Sequence, residues 1–170
     1  ARASMPGMMD TVLNVGLTTK TVEGLAEKTR NDRFAQDSYR RFVSMYGSIV
    51  MGVPREHFEA ILKHKKAEVG AAHETHLDAR HLRELVSSFK ALIKEETKKE
   101  FPDEPLEQLR LAVNAVFSSW FGARSVTYRR LYGIPDSWGT AINVVAMVFG
   151  NMGETSGTGV AFTRDPASGD

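Results

Sequence analysis

Ala141-Ile-Asn-Val-Val-Ala-Met-Val-Phe149, followed by Gly153-Glu-Thr-Ser-Gly-Thr-Gly159 and Val160-Ala-Phe-Thr163, is the stretch on which the fold class turns. The first run is almost continuously apolar and contains several β-branched residues. That is the pattern of a buried strand, although periodicity alone leaves a buried helix open. The last four residues read as a second strand. The loop at 153–159 between them holds three glycines and three hydroxyl side chains. Glycine lets a backbone approach a ligand closely and enter positive φ, and successive N–H groups in such a loop form a concave anion site. Strand, glycine-rich loop, strand suggests a flap over the phosphates of a nucleotide; an unliganded hairpin loop is the bland alternative. A Walker loop is excluded, because no lysine follows Gly159 and no helix follows the loop. The dinucleotide fingerprint fails for the second reason.

Upstream of this stretch the pattern is helical. Asn31 or Asp32 can cap a helix whose apolar residues Tyr39, Phe42, Val43, Tyr46, Ile49 and Val50 recur at steps of three and four, until Gly52-Val-Pro54 ends it. Phe58, Ile61 and Leu62 mark a shorter helix. Asp78 can cap one carrying Leu82, Leu85, Val86, Phe89, Leu92 and Ile93, broken at Phe101-Pro-Asp-Glu-Pro105. The next starts near Pro105, a suitable first-turn residue, and is expected to bury Leu106, Leu109, Val113, Val116, Phe117 and Trp120. Three sections result: a loop segment at 1–18, a helical block at 19–135 and a beta segment at 136–170. The expected class is α+β, predominantly helical.

Composition limits the partners. The chain has 170 residues, 42% hydrophobic and 25% charged, with net charge +1 and no cysteine. That balance supplies a real core but no global field for nucleic acid or an acidic membrane, so any anion site must be local. Without cysteine there is neither a disulfide framework nor a thiolate metal site. No apolar run approaches the roughly 20 residues that span a bilayer, and the first residues do not resemble a signal peptide. The sequence therefore reads as soluble and intracellular, and as a piece excised from a longer chain.

If the loop holds phosphates, Arg2, Arg40, Arg41, Arg124, Arg129, Arg130 and Arg164 are the candidate cations, because guanidinium suits bidentate contact with phosphate oxygens. Arg41 follows Asp37 by four residues, so the competing role is an i,i+4 surface pair worth about 0.3–0.5 kcal/mol. His73 and His76 lie in a polar connection with no further clustered ligand and read as solvated. Glu154 and Asp165 bracket the loop and could touch a nucleotide-bound magnesium, but loop carboxylates are the commoner reading. No Gly-x-Ser-x-Gly elbow supports a serine nucleophile.

Five segments are more specific than these patterns: Ala1-Arg-Ala-Ser-Met-Pro-Gly-Met-Met-Asp-Thr11, Asp37-Ser-Tyr-Arg-Arg-Phe42, Ala115-Val-Phe-Ser-Ser-Trp120, Val126-Thr-Tyr-Arg-Arg130 and Gly153-Glu-Thr-Ser-Gly-Thr-Gly-Val-Ala-Phe-Thr-Arg164. In order and across essentially the whole chain, they resemble the pyruvate, phosphate dikinase family. The resemblance implies part of an N-terminal nucleotide-binding domain, a partial ATP-grasp fold with a helical insertion. It implies conversion of ATP, phosphate and pyruvate to AMP, diphosphate and phosphoenolpyruvate, with magnesium and a monovalent cation. The carrier histidine would lie outside this stretch, on a swivelling domain of the same parent, a homodimer in the cytoplasm or an organelle. Carried onto matching residues, Thr155, Ser156, Gly157, Thr158 and Gly159 would embrace the ATP phosphates. Arg2 and the methionine loop at 5–9 would line the cleft, and Arg41 would help bind the γ-phosphate or inorganic phosphate. No catalytic residue and no metal ligand falls on the chain by this carry-over. Phosphoenolpyruvate synthase is the nearest alternative, disfavoured by the Met5-Pro-Gly-Met-Met9 segment; a non-catalytic helical interaction module is the alternative of another class.

Overall fold

The computed structural model describes residues 3, 5–165 and 168. Six α-helices follow one another: α1 (Thr21–Thr29), α2 (Asp32–Ile49), α3 (Arg55–Glu68), α4 (Ala79–Thr97), α5 (Pro105–Ser119) and α6 (Ala123–Tyr132), with 3₁₀ turns at Glu74–His76 and Asp136–Trp138. The start signals read from the sequence are used. Asn31 Oδ1 accepts from the Phe34 N–H at 3.0 Å, and Asp78 Oδ1 accepts from the His81 N–H at 2.9 Å. Each satisfies one of the orphan donors of a helix start, a contribution of about 1 kcal/mol. The weakly patterned α1 and α6 add to the four helices placed by their apolar spacing.

The core lies around α2, which packs against α1, α3 and α4. Its apolar stripe supplies Tyr39, Phe42, Val43 and Tyr46; α4 answers with Leu82, Leu85, Phe89 and Ile93. Phe42, Tyr46 and Phe101 form an edge-to-face triangle with centroids 5.3–5.8 Å apart. Gly47 is where three helices meet: a Cβ there would sit 2.6 Å from the Phe58 ring and 2.9 Å from Ile93. The absence of a side chain at Gly47 therefore sets how closely α3 and α4 approach α2.

Helix α5 departs from its expected face. Of the six residues expected inside, Trp120 is buried, Leu109, Val113 and Val116 are half-buried, and Leu106 and Phe117 are exposed. The inward positions are Gln108 and Ala112. Gln108 decides this: its Oε1 accepts from Gly16 N–H at 2.9 Å, its Nε2 donates to Leu17 O and Pro102 O at 3.0 and 2.8 Å, and its own carbonyl accepts from Tyr46 Oη at 3.1 Å. A fully paired amide, rather than an apolar stripe, locks the helix to the segment before α1.

The expected beta region is absent. Among the described residues no strand forms, so the α+β class and the partial ATP-grasp sheet predicted from the sequence are both corrected: the chain is all-helical with an irregular C-terminal segment. Residues 141–149 have the apolar content of a strand but no neighbouring strand to take their N–H and C=O groups, and pairing, not composition, makes a strand. Val144, Val145 and Val148 point outward, as do Val160 and Phe162.

Candidate functional site

The glycine-rich loop is carried on the N-terminal end of α2. Phe149 meets Phe34 edge-on, centroids 5.1 Å apart, and Asn31 Nδ2 donates to Met152 O at 3.4 Å. Asn31 thus caps the helix with one side-chain atom and holds the approach to the loop with the other. Within the loop, Ser156 N–H bonds to Gly153 O at 3.0 Å. The fold-back is close at Gly150, where a Cβ would stand 2.4 Å from Thr158 Cβ and 2.8 Å from Gly157 O. Gly150 went unnoticed in the sequence; the signal was a glycine immediately before the loop in an otherwise bulky run.

Gly153, Gly157 and Gly159 have nothing within 4 Å of where a Cβ would lie. None of the three has positive φ, so the conformational freedom expected of them is not what the loop uses. What glycine provides here is open access to the main chain. Thr155, Thr158 and their neighbours are exposed, Ser156 half-buried. The Ser156 amide is spent within the loop, but the uncrowded glycines at 157 and 159, three hydroxyls and no carboxylate between Thr155 and Gly159 form a set that fits an anionic, oxygen-rich ligand such as a triphosphate.

Arg41 sits elsewhere on the same helix. It lies ten residues beyond Asn31, about 15 Å along the axis. No hydrogen bond or ion pair joins it to the loop among the described residues. The expected pair with Asp37 is formed, Nε to Oδ2 at 2.9 Å, but it is not a simple surface pair. Asp37 is buried, and its Oδ1 also accepts from Arg40 Nε and Nη2 at 3.1 and 2.7 Å. Burial alone would raise the Asp37 pKa, yet the Arg40 charge and the hydrogen bonds from both arginines outweigh it and hold the carboxyl below its ordinary value. Burial would lower Arg41, but its contacts with Asp37 and the charge of Glu74 raise it instead. Glu74, which the sequence reading passed over, accepts at Oε2 from Arg40 Nη2 at 2.8 Å and Arg41 Nη2 at 3.2 Å. Nothing local in sequence marks a partner 33 residues from Arg41.

The methionine loop borders a cavity of about 430 Å3 lined by Met5, Pro6, Met9, Trp120, Ile134 and Trp138. Its far side is fixed by hydrogen bonds: Ser125 Oγ donates to Met8 O at 2.9 Å, the Asp10 N–H to Ser119 Oγ at 3.1 Å, and Arg124 pairs with Asp10 at 3.1 Å. Arg129 is buried under Trp120, its guanidinium 4.1 Å from the indole centroid and bonded to Asp136. It therefore drops out as a phosphate cation; Arg130 and Arg164 are exposed. Arg2 falls outside the described residues. His73 and His76 are exposed, their rings 5.5 Å apart. No group of three His, Asp or Glu is gathered among the described residues, and no helix there is long and apolar enough to cross a membrane.

Comparison with known proteins supplies the class: residues 1–170 match the family described as pyruvate phosphate dikinase, AMP/ATP-binding domain, and the chain belongs to that family. The individual relatives carry one name. The chain is 58% identical over 171 residues to pyruvate, phosphate dikinase of Clostridium symbiosum, covering all of this chain and 20% of that protein. It is 54% identical to the Rhizobium meliloti protein of that name and 51% to the chloroplastic form 1 of Arabidopsis thaliana, covering 19% and 18% of them. The chain thus spans about a fifth of the curated relatives it matches. The phosphate-using name agrees with the inference from Met5-Pro-Gly-Met-Met9, and an AMP/ATP-binding family replaces the non-catalytic module.

Proposed function

We propose that this chain is the part of a pyruvate, phosphate dikinase that holds the phosphates of ATP while a phosphoryl group leaves for a carrier histidine on another domain. The observation that carries the reading is the unobstructed approach at Gly157 and Gly159, where nothing lies within 4 Å of where a Cβ would stand, in a loop whose other side folds back onto Gly150. Thr155, Ser156 and Thr158 offer hydroxyls, and Gly157 and Gly159 offer close approach. Arg2 and Arg41 contribute positive charge, Arg41 toward the γ-phosphate or inorganic phosphate. Phosphoryl transfer demands positioning and charge neutralisation rather than covalent chemistry from such a domain.

Bound ATP supplies the phosphoryl group, and magnesium with a monovalent cation supplies charge that these residues do not. The protein ligands of those ions would come mostly from other parts of the parent, as would the swivelling phosphohistidine domain, the pyruvate site and the homodimer contact. The division into 1–18, 19–135 and 136–170 separates cleft segment, helical block and phosphate loop. A cytoplasmic or organellar compartment suits the metabolites. In the full-length enzyme, Gly157→Ile crowds the loop backbone and should reduce ATP-dependent phosphorylation of the carrier histidine by about 100-fold or more, the scale of a misplaced phosphate. Arg41→Ala should impair the same half-reaction and spare phosphoryl transfer from phosphoenolpyruvate. ATP-dependent labelling at the normal rate in Gly157→Ile would refute the loop assignment.

A further inference from the structure

Arg41 is not free to receive an anion as the structure stands. Two guanidiniums, Arg40 and Arg41, hold two carboxylates, Asp37 and Glu74, while Arg33 bonds the backbone carbonyl of Glu74, so these five side chains together keep one net positive charge. The two carboxylates are not equivalent. Asp37 is buried and grips Arg41 from within at Nε. Glu74 reaches Arg41 from the cleft side at 3.2 Å, the longest of the five carboxylate contacts, with the Arg41 side chain 55% and that of Glu74 37% exposed. Both line an open cleft of about 450 Å3 together with Ser44, Ser48 and Arg55. Glu74 needs Arg41 little: the same Oε2 keeps Arg40 at 2.8 Å, and its backbone carbonyl is held by Arg33 Nη2 at 3.0 Å.

We propose that Glu74 is a resident counter-anion for Arg41, which a phosphate oxygen of the substrate displaces, while Asp37 keeps the guanidinium aimed. Glu74 is thus a positioning residue that competes with phosphate. It weakens phosphate binding, and it prevents Arg41 from collapsing onto other acceptors when no substrate is present. The inference rests on the proposed role of Arg41. The phosphate could belong to the nucleotide or be inorganic, and the two are separable by titration.

The test is steady-state kinetics of the ATP half-reaction in the full-length enzyme, varying MgATP at saturating phosphate and phosphate at saturating MgATP. Glu74→Gln should lower one of the two KM values by about threefold to tenfold, the range of a partly exposed ion pair. The KM that moves names the source of the phosphate, and the change should appear in KM rather than kcat. Adding Glu74→Gln to Arg41→Ala should produce no further change, because the effect runs through Arg41. An unchanged or raised KM in a folded Glu74→Gln enzyme, or a KM still lowered by Glu74→Gln when Arg41 is alanine, would overturn the proposal. Should the glutamine variant lose its fold, Glu74→Asp keeps a counter-charge for Arg40 while withdrawing the carboxylate by one methylene. It should lower the same KM by a smaller factor, and no change there would equally overturn the proposal. If Arg41→Ala alone leaves both KM values and the half-reaction unaltered, the parent reading of Arg41 has failed; if only the Glu74 variants are silent, this inference alone has.

Discussion

Two stretches of this chain are rich in large apolar residues, and they end in opposite situations. In α2 and α4 the apolar residues recur every three or four positions, and each faces a partner: Phe42, Tyr46, Leu82, Leu85, Phe89 and Ile93 are fully or nearly fully buried. In residues 141–149 the apolar run is denser, yet Val144, Val145 and Val148 are exposed. The difference lies in how each kind of structure is completed. A helix satisfies its backbone within itself and needs only one face covered, whereas a strand must find a lateral partner before its apolar content counts. Local sequence contains the first condition and not the second.

The comparison breaks most sharply at Phe42. Phe42→Ala removes a fully buried ring from the aromatic triangle with Tyr46 and Phe101, and should cost about 3–5 kcal/mol of folding free energy in urea titration of the 170-residue chain. A loss below about 1 kcal/mol would mean that the α2–α4 core does not carry the fold.

A smaller effect, with a pH signature, is expected at Asp37. Asp37→Asn leaves buried Arg40 with Glu74 as its remaining carboxylate and should cost about 2–3 kcal/mol near neutrality. The Asp37 carboxyl is held below 3.8 in the folded chain, so its contribution is complete above roughly pH 4 and is lost as pH falls through the depressed folded value. Protonated Asp37 resembles asparagine. The stability difference between the two proteins should therefore shrink as pH drops below about 4, and a difference constant down to pH 2 would show that charge is not what Asp37 supplies.

These contrasts show what could be read from residues alone. Asn31 and Asp78 announced their helices because capping is decided within three residues. The Arg41–Asp37 contact was visible as an i,i+4 spacing. Glu74 was not, since it arrives from a polar 3₁₀ turn held in place by Arg33. Gln108 was hidden for a related reason: a buried amide breaks the apolar rule, and its three partners lie in the segments before α1 and α5. The loop at 153–159 was legible as glycines and hydroxyls, while its seat on Phe34 and Asn31 was not, because that contact spans more than a hundred residues.

The smallest expected effect bears most directly on the irregular segment. If the exposed valines do no folding work in this chain, Val148→Ser should change its stability by no more than about 0.5 kcal/mol, the usual range for a surface substitution. The residue is 85% exposed, so little apolar area returns to water when the isopropyl group is replaced. A buried strand valine would behave otherwise: losing its methyl groups and burying a hydroxyl would together cost 2 kcal/mol or more, by about 0.8 kcal/mol per methylene-sized group plus the desolvation of an unpaired polar atom. Urea titration of Val148→Ser beside Phe42→Ala thus places the two apolar regions on one scale. Equal losses would erase the distinction between them. A loss confined to Phe42→Ala would leave Val144, Val145 and Val148 as apolar surface that the helical core does not use, with Phe149 the residue of the run that packs on α2.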